Sequence, residues 1–127
     1  MTADGKLRVL LADDESDMRH LLALNLQMDG RFEIIGEASN GAEAVALSRV
    51  LQPDAVVLDI LMPVMGGVDA LPLIREAAPH APVVVLSAYP ESMIGDMHAL
   101  GAYAYHQKEE PPAVVAESLW TACALVS

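Results

Sequence analysis

The sequence has few cysteines, aromatic residues and basic residues, and it has no long apolar stretch. Its single cysteine, Cys123, excludes an intrachain disulfide and favours a reducing compartment. Only 7 Lys and Arg stand against 18 Asp and Glu, with no basic cluster, so direct binding to nucleic acid is not expected. The apolar runs are far shorter than the ~20 residues of a membrane span, and the first residues lack the apolar core of a signal peptide. These absences predict a soluble, cytoplasmic protein without membrane contact.

The residues that are present suit a single α/β domain. A chain of 127 residues can bury about two thirds of its unfolded surface, so we expect residues 1–127 to form one domain. Hydrophobic residues make up 54% of the sequence and aromatic residues only 4%, which predicts an aliphatic core. Such a core is typical of a sheet covered by helices on both faces.

Apolar runs alternate with helix-like segments along the chain. Strands are predicted at residues 7–12, 32–38, 55–58, 83–86 and 103–105. Helices are predicted at residues 15–28, 41–51, 68–77, 91–100 and 112–126. Asn40 is the expected cap of the second helix, and the partly alternating second strand is expected at a sheet edge. Five successive strand–helix units predict a right-handed, doubly wound parallel sheet.

Five polar residues stand where predicted strands end. They are Asp13, Asp14, Asp59, Ser87 and Lys108. The carboxyl ends of parallel strands meet at one edge of the sheet, which is where open α/β folds bind their ligands. We therefore expect these side chains to form one site.

The three carboxylates of this set indicate a cation. Close carboxylates repel one another, so either one of them holds a proton or a cation neutralises the group. Oxygen ligands without Cys or His favour a hard ion such as Mg²⁺ or Mn²⁺. The plain structural alternative is that Asp13 and Asp14 only cap the first helix.

A carboxylate beside a divalent cation and an ammonium group can attack phosphorus, because both cations offset the charge on the phosphoryl group. Asp59 is the candidate nucleophile. Asp14 is expected to bind the metal directly and Asp13 through water. Lys108 is expected to pair with a phosphoryl oxygen, and Ser87 to donate a hydrogen bond to another.

Four segments of the chain resemble the receiver domains of bacterial two-component response regulators. The segments are Leu11-Ala12-Asp13-Asp14-Glu15, Leu58-Asp59-Ile60-Leu61-Met62-Pro63-Val64-Met65-Gly66-Gly67, Leu86-Ser87-Ala88 and Gly101-Ala102-Tyr103-Ala104-Tyr105-His106-Gln107-Lys108. The resemblance implies a flavodoxin-like fold with strand order 2-1-3-4-5. It also implies that Asp59 accepts a phosphoryl group and that Asp14, Asp59 and the backbone carbonyl of Leu61 bind Mg²⁺. Ser87 and Tyr105 would form the conformational switch.

The same resemblance implies the partners. A histidine kinase or a phosphotransfer protein would donate the phosphoryl group, and a downstream protein or an output domain outside this chain would respond to it. A LuxR-type DNA-binding domain is one option for that output, and a homodimer is another possible assembly. The chain would not be an enzyme beyond catalysing its own phosphotransfer and dephosphorylation.

Two alternative functions remain open. One is a pseudo-receiver that binds partners without phosphorylation. The other is a Mg²⁺-dependent phosphatase or phosphotransferase with an Asp nucleophile. Such enzymes normally carry a second acid two residues after the nucleophile, where this chain has Leu61, and an inserted cap, whereas its connections are short. The switch is therefore the preferred prediction.

Four residues depart from the pattern of the family near the predicted site. Glu109 follows Lys108 where the family often has proline, and His106 stands where an aliphatic residue is usual. Leu61 and Tyr89 each lie two residues past a predicted site residue and place large side chains near its mouth. None of these departures removes a group that the predicted chemistry requires.

Overall fold

Five parallel strands form one sheet in the computed structural model, which describes residues 1–126. The strands are β1 (Leu7–Ala12), β2 (Phe32–Ala38), β3 (Ala55–Asp59), β4 (Val83–Ser87) and β5 (Ala104–Gln107). Their order in the sheet is β2-β1-β3-β4-β5, which confirms the predicted topology and the edge position of β2. Successive strands are added toward one edge of the sheet from β1 to β2 and toward the other edge from β3 onward, so the carboxyl ends of the parallel neighbours β1 and β3 form the switch point of the fold.

Five helices connect and cover the strands. They are α1 (Ser16–Asp29), α2 (Gly41–Leu51), α3 (Gly67–Ala77), α4 (Glu91–Ile94) and α5 (Pro112–Val126). Residues on β1, β3 and β4 are almost all fully buried, and successive side chains enter two different cores. Leu10, Val56 and Val85 pack on one face with α2 and α3. Val9, Val57 and Val84 pack on the other face with α1 and α5. Burial on both faces explains why these strands are continuous apolar runs in the sequence.

The helix boundaries follow local signals. Asn40 caps α2 as predicted, because its side chain accepts a hydrogen bond from the Glu43 amide at 2.9 Å. Pro112 is the first residue of α5, where a missing amide hydrogen costs nothing. Helix α3 continues through Pro72, which is solvent-exposed.

Helix α4 is much shorter than predicted. The sequence pattern indicated a helix over residues 91–100, but the structure has only Glu91–Ile94. Gly95 ends it with φ 114° and ψ −178°, a conformation that is incompatible with a helix. Asp96 then accepts a hydrogen bond from the Ala99 amide, which begins a series of turns around the buried Met97. The prediction was wrong because a local cap and a left-handed glycine interrupt the apolar periodicity.

Gly30 supplies a prediction about stability. It ends α1 with φ 91°, and a methyl group added there would touch nothing, so only backbone conformation is at stake. Gly30→Ala should lower the free energy of unfolding by about 1 kcal/mol because L-residues disfavour this region. Urea unfolding measures the change. Gln27→Ala, at an exposed position of α1, is the control, and equal stability of the two variants would refute the prediction.

Cys123 lies in the core between α5 and the sheet. Burial, with a smaller contribution from Asp54, raises the pKa of its thiol to about 11. The thiol is therefore protonated at neutral pH, which agrees with the predicted packing role. Within residues 1–126, no helix combines the length and the apolar character that crossing a membrane requires.

Candidate functional site

The carboxyl edge of the sheet brings together the residues that the sequence placed at strand ends. Asp13 and Asp14 follow β1, Asp59 is the last residue of β3, and Lys108 follows β5. Asp13, Asp14 and Asp59 each offer a carboxylate oxygen within 4.8 Å of the others. The predicted convergence of the three acids at the switch point is therefore present.

Asp59 is the buried member of the acidic cluster, with 3% of its surface exposed. Burial and the neighbouring charge of Asp13 raise the pKa of its carboxyl group to about 7, against the opposing effect of Lys108. The carboxylate at this position is thus costly to ionise without a further positive charge. A group of this kind in a cleft is typical of a functional site.

Lys108 supplies one such charge. Its Nζ lies 3.1 Å from an oxygen of Asp13 and 3.1 Å from an oxygen of Asp59, with Glu15 at 3.6 Å. Burial alone would lower the pKa of this ammonium group, but Asp59 and Asp13 outweigh it and hold the pKa above its usual value. Lys108 is therefore charged and bridges the ends of β1 and β3.

Asp13 has two separate partners for its side chain. One oxygen accepts a hydrogen bond from the Glu15 amide at 2.9 Å, while the other faces Lys108. Glu15 is the N-cap residue of α1, and no side chain makes the cap hydrogen bond there. Asp14 is exposed and points its carboxylate toward the same cluster. Capping alone does not account for the position of either aspartate.

Arg19 supports the cluster from behind and was missed by the sequence reasoning. Its guanidinium donates to the backbone carbonyl of Asp13 at 2.6 Å and to Glu37 on β2 at 2.8 Å. Its position one helical turn after Glu15 indicated that it lies near the acids. Its contact with β2 could not be predicted, because that contact depends on how α1 packs against the sheet. Arg19 fixes the backbone that carries the two acids.

The two residues of the predicted switch lie on neighbouring strands. Ser87 is fully buried, and its hydroxyl oxygen accepts a hydrogen bond from the Tyr89 amide at 3.1 Å. The hydroxyl of half-buried Tyr105 donates to the Tyr89 carbonyl. The Lys108 amide donates to the Ser87 carbonyl at 2.8 Å. Ser87, Tyr105 and Lys108 are thus linked through backbone groups around the end of β4.

The residues that depart from the family pattern have defined positions. Leu61 and Tyr89 expose 54% and 44% of their surfaces beside the site. His106 forms side-chain contacts with Ser118 on α5 at 2.7 Å and with Glu110 at 3.0 Å. Both ring nitrogens of His106 therefore have hydrogen-bonding partners, and the residue keeps its regular pairing with Leu86 in the sheet. Glu109 is exposed, and the neighbouring Lys108 still reaches Asp13 and Asp59.

The donor set fits a divalent cation. It consists of oxygen ligands only, and two of the three carboxylates are already held in place by hydrogen bonds to Lys108 or to backbone amides. A hard ion with partial hydration suits one or two such carboxylates. The raised pKa of Asp59 also indicates that the cluster has too little positive charge to balance its three carboxylates, which a bound cation would supply.

A doubly wound sheet with an acidic cluster and a lysine at its switch point defines a class of phosphoryl-accepting α/β domains. Residues 9–119 match the family model described as the response regulator receiver domain. The chain belongs to this family. It is therefore a receiver domain of two-component signal transduction.

Similar proteins agree with this assignment. The chain is 39% identical over 113 residues to the chemotaxis protein CheY of Thermotoga maritima, covering 88% of this chain and 93% of that protein. It is 37% identical over 105 residues to a protein-glutamate methylesterase/protein-glutamine glutaminase of Anaeromyxobacter dehalogenans, covering 83% of this chain but only 31% of that protein. Among solved structures, CheY of Borrelia burgdorferi in a complex with CheX, BeF₃ and Mg²⁺ has a TM-score of 0.80 and 30% identity, covering 91% of this chain and 87% of that one.

Proposed function

We propose that Asp59 is the phosphoacceptor of this receiver domain. The observation that carries the proposal is a buried carboxylate in direct contact with the Lys108 ammonium group and within 4.8 Å of two further carboxylates. Asp14, Asp59 and the backbone carbonyl of Leu61 would bind Mg²⁺, and Asp13 would bind it through water. Bound Mg²⁺ would offset the negative charge of the phosphoryl group during transfer.

The transfer forms one bond and breaks another. An oxygen of Asp59 attacks phosphorus of a phosphohistidine, and the bond between phosphorus and the imidazole nitrogen breaks. The imidazole leaves with the electron pair of that bond. Asp59 attacks as the ionised carboxylate, a state that Lys108 and bound Mg²⁺ would favour. Lys108 is close enough to pair with the phosphoryl oxygens once the group is attached to Asp59.

The response uses the residues around the end of β4. The added charge and acceptor oxygens favour a conformation in which the Ser87 hydroxyl donates to the phosphoryl group. In the structure the Ser87 hydroxyl accepts a hydrogen bond from the Tyr89 amide, and the Tyr105 hydroxyl donates one to the Tyr89 carbonyl. Movement of Ser87 toward the phosphoryl group would therefore displace Tyr89 and also release Tyr105. Phosphorylation would thereby change the surface near α4, β5 and α5.

The partners follow from this chemistry. A histidine kinase or phosphotransfer protein supplies the phosphoryl group, and a downstream protein or an output domain reads the changed surface. The match to 93% of CheY of Thermotoga maritima supports a separate downstream protein as the responding partner. The partial coverage of the methylesterase supports action through an attached output domain.

Intact mass spectrometry tests the proposal. After incubation with acetyl phosphate and Mg²⁺, the wild-type chain should gain one phosphoryl group, about 80 Da, and EDTA should prevent the gain. Asp59→Asn should show no gain, whereas Glu33→Gln, which removes an exposed carboxylate from β2, should behave like the wild type.

Two results would contradict the proposal. A chain that gains no mass and does not bind beryllofluoride would be a pseudo-receiver that acts by binding alone. Steady release of phosphate from small phosphate esters would identify the alternative phosphatase.

A further inference from the structure

The loop between β3 and α3 contains a strained turn. Val64 has φ 67°, a left-handed conformation that is unfavourable for a β-branched residue, and 85% of its surface is exposed. The turn is closed by a hydrogen bond from the Met65 amide to the Pro63 carbonyl at 2.6 Å. The Gly67 amide binds the Ile60 carbonyl at 2.8 Å and closes the whole loop. Strain of this kind persists only where the surroundings hold it.

The N-terminus of α2 is what holds the turn. The amide of Gly41, the first residue of α2, donates to the Met65 carbonyl at 2.8 Å. The approach is so close that a methyl group on Gly41 would lie 2.3 Å from the Met65 oxygen and 2.9 Å from the Met65 carbonyl carbon. Since these are backbone atoms, a side chain at position 41 must displace the loop.

The first turn of α2 is itself rigid. Asn40 caps the Glu43 amide, and the Glu43 carboxylate accepts hydrogen bonds from the amide and the hydroxyl of Ser39. The Gly41 amide is therefore one of the helix N-terminal donors that are free to bind outside the helix. Its hydrogen bond goes to the Met65 carbonyl, in the loop that begins directly after Asp59.

We propose that Gly41 is a positioning residue for the phosphoacceptor site. The α2 N-terminus clamps the strained turn at Met65, and the clamp fixes the segment that presents the Leu61 carbonyl to Mg²⁺. Leu61 lies between the two anchors of the loop, the Gly67 contact with Ile60 and the Gly41 contact with Met65. This inference rests on the proposed function, because it assigns a metal ligand within the same site.

The test measures Mg²⁺ affinity by isothermal titration calorimetry of the full chain. Gly41→Ala should weaken Mg²⁺ binding at least tenfold. Asn40→Ala removes the cap without a clash, so it should fold, lower the melting temperature by about 4 °C and weaken Mg²⁺ binding by about threefold. Ala46→Gly, at an exposed position in the middle of α2, is the matched control. It should lower the melting temperature by a similar amount and leave Mg²⁺ affinity unchanged.

Hydrogen exchange of the Gly41 amide in the metal-free protein provides a second readout. Strong protection is expected in the wild type, and reduced protection in Asn40→Ala. Two results would overturn the inference: Mg²⁺ affinity of Gly41→Ala within twofold of wild type, or equal losses of affinity in Asn40→Ala and Ala46→Gly. If the wild type itself neither binds Mg²⁺ nor gains mass with acetyl phosphate, the proposed function fails instead.

Discussion

Replacing Lys108 with methionine is expected to slow phosphorylation of Asp59 by about 100-fold while strengthening Mg²⁺ binding. The ammonium group lies 3.1 Å from both Asp13 and Asp59, where it can stabilise charge on the phosphoryl group during transfer. Loss of one such positioned donor typically costs about 3 kcal/mol of transition-state stabilisation. The same group repels a nearby metal ion, so its removal should raise Mg²⁺ affinity by about tenfold.

The rate is measured by intact mass after timed incubation with acetyl phosphate at saturating Mg²⁺, and the affinity by calorimetry. The sequence contains one other lysine, Lys6, which precedes β1 at the opposite edge of the sheet. Lys6→Met therefore removes the same charge far from the site and should change neither quantity. Equal phosphorylation rates for Lys108→Met and the wild type would exclude a role for Lys108 in transfer. A fall in Mg²⁺ affinity would show that Lys108 organises the cluster instead of competing with the metal.

Asp59→Asn is expected to stabilise the metal-free protein in a pH-dependent manner. The pKa of Asp59 rises from 3.8 to about 7 on folding, so the native state binds the proton more tightly than the unfolded chain does. This contribution to stability is complete below pH 3.8 and is lost as the pH rises through 7. Above pH 7 the wild type must hold an ionised, buried carboxylate, and an uncharged amide avoids that cost.

The upper limit of the effect is about 4 kcal/mol from the shift, and we expect about 2 kcal/mol because relaxation and water entry around the ionised carboxylate reduce the cost of burying it. Thermal unfolding in EDTA should show the variant about 8 °C above the wild type at pH 8.5, with the gap reduced to about half or less at pH 5 and nearly closed below pH 3.8. Glu33→Gln controls for the loss of one negative charge from a chain of net charge −11. A gap that does not change between pH 5 and pH 8.5 would contradict the raised pKa.

The order of the strands was implied by the resemblance to receiver domains, whereas the position of the site was accessible from the residues themselves. Continuous apolar runs showed that β1, β3 and β4 are buried on both faces, and each run ended in a polar residue that had no place in the core. Asp13, Asp59 and Lys108 could therefore be placed at one edge before any distance was known. The Asn40 cap was equally clear, because its hydrogen bond joins residues three positions apart.

What could not be predicted depends on contacts between distant segments or on single backbone angles. The reach of Arg19 to Asp13 and Glu37 requires the packing of α1 beside β2. The Gly41 contact with Met65 joins two loops that are far apart in sequence. Helix α4 was overestimated because side-chain periodicity carries no information about the left-handed conformation of Gly95.

The hydrogen bond from the Lys108 amide to the Ser87 carbonyl joins the ends of β4 and β5. Lys108 and Ser87 therefore form one mechanical unit, although 21 positions separate them in the sequence. In the proposed mechanism, a pull on either side chain by a group attached to Asp59 would move both backbones together. The site is thus divided into one half on β1 and β3, which carries the acids, and another on β4 and β5, which carries Ser87 and Lys108. In the proposed mechanism, charge added to Asp59 on β3 would therefore be converted into movement at the boundary between β3 and β4.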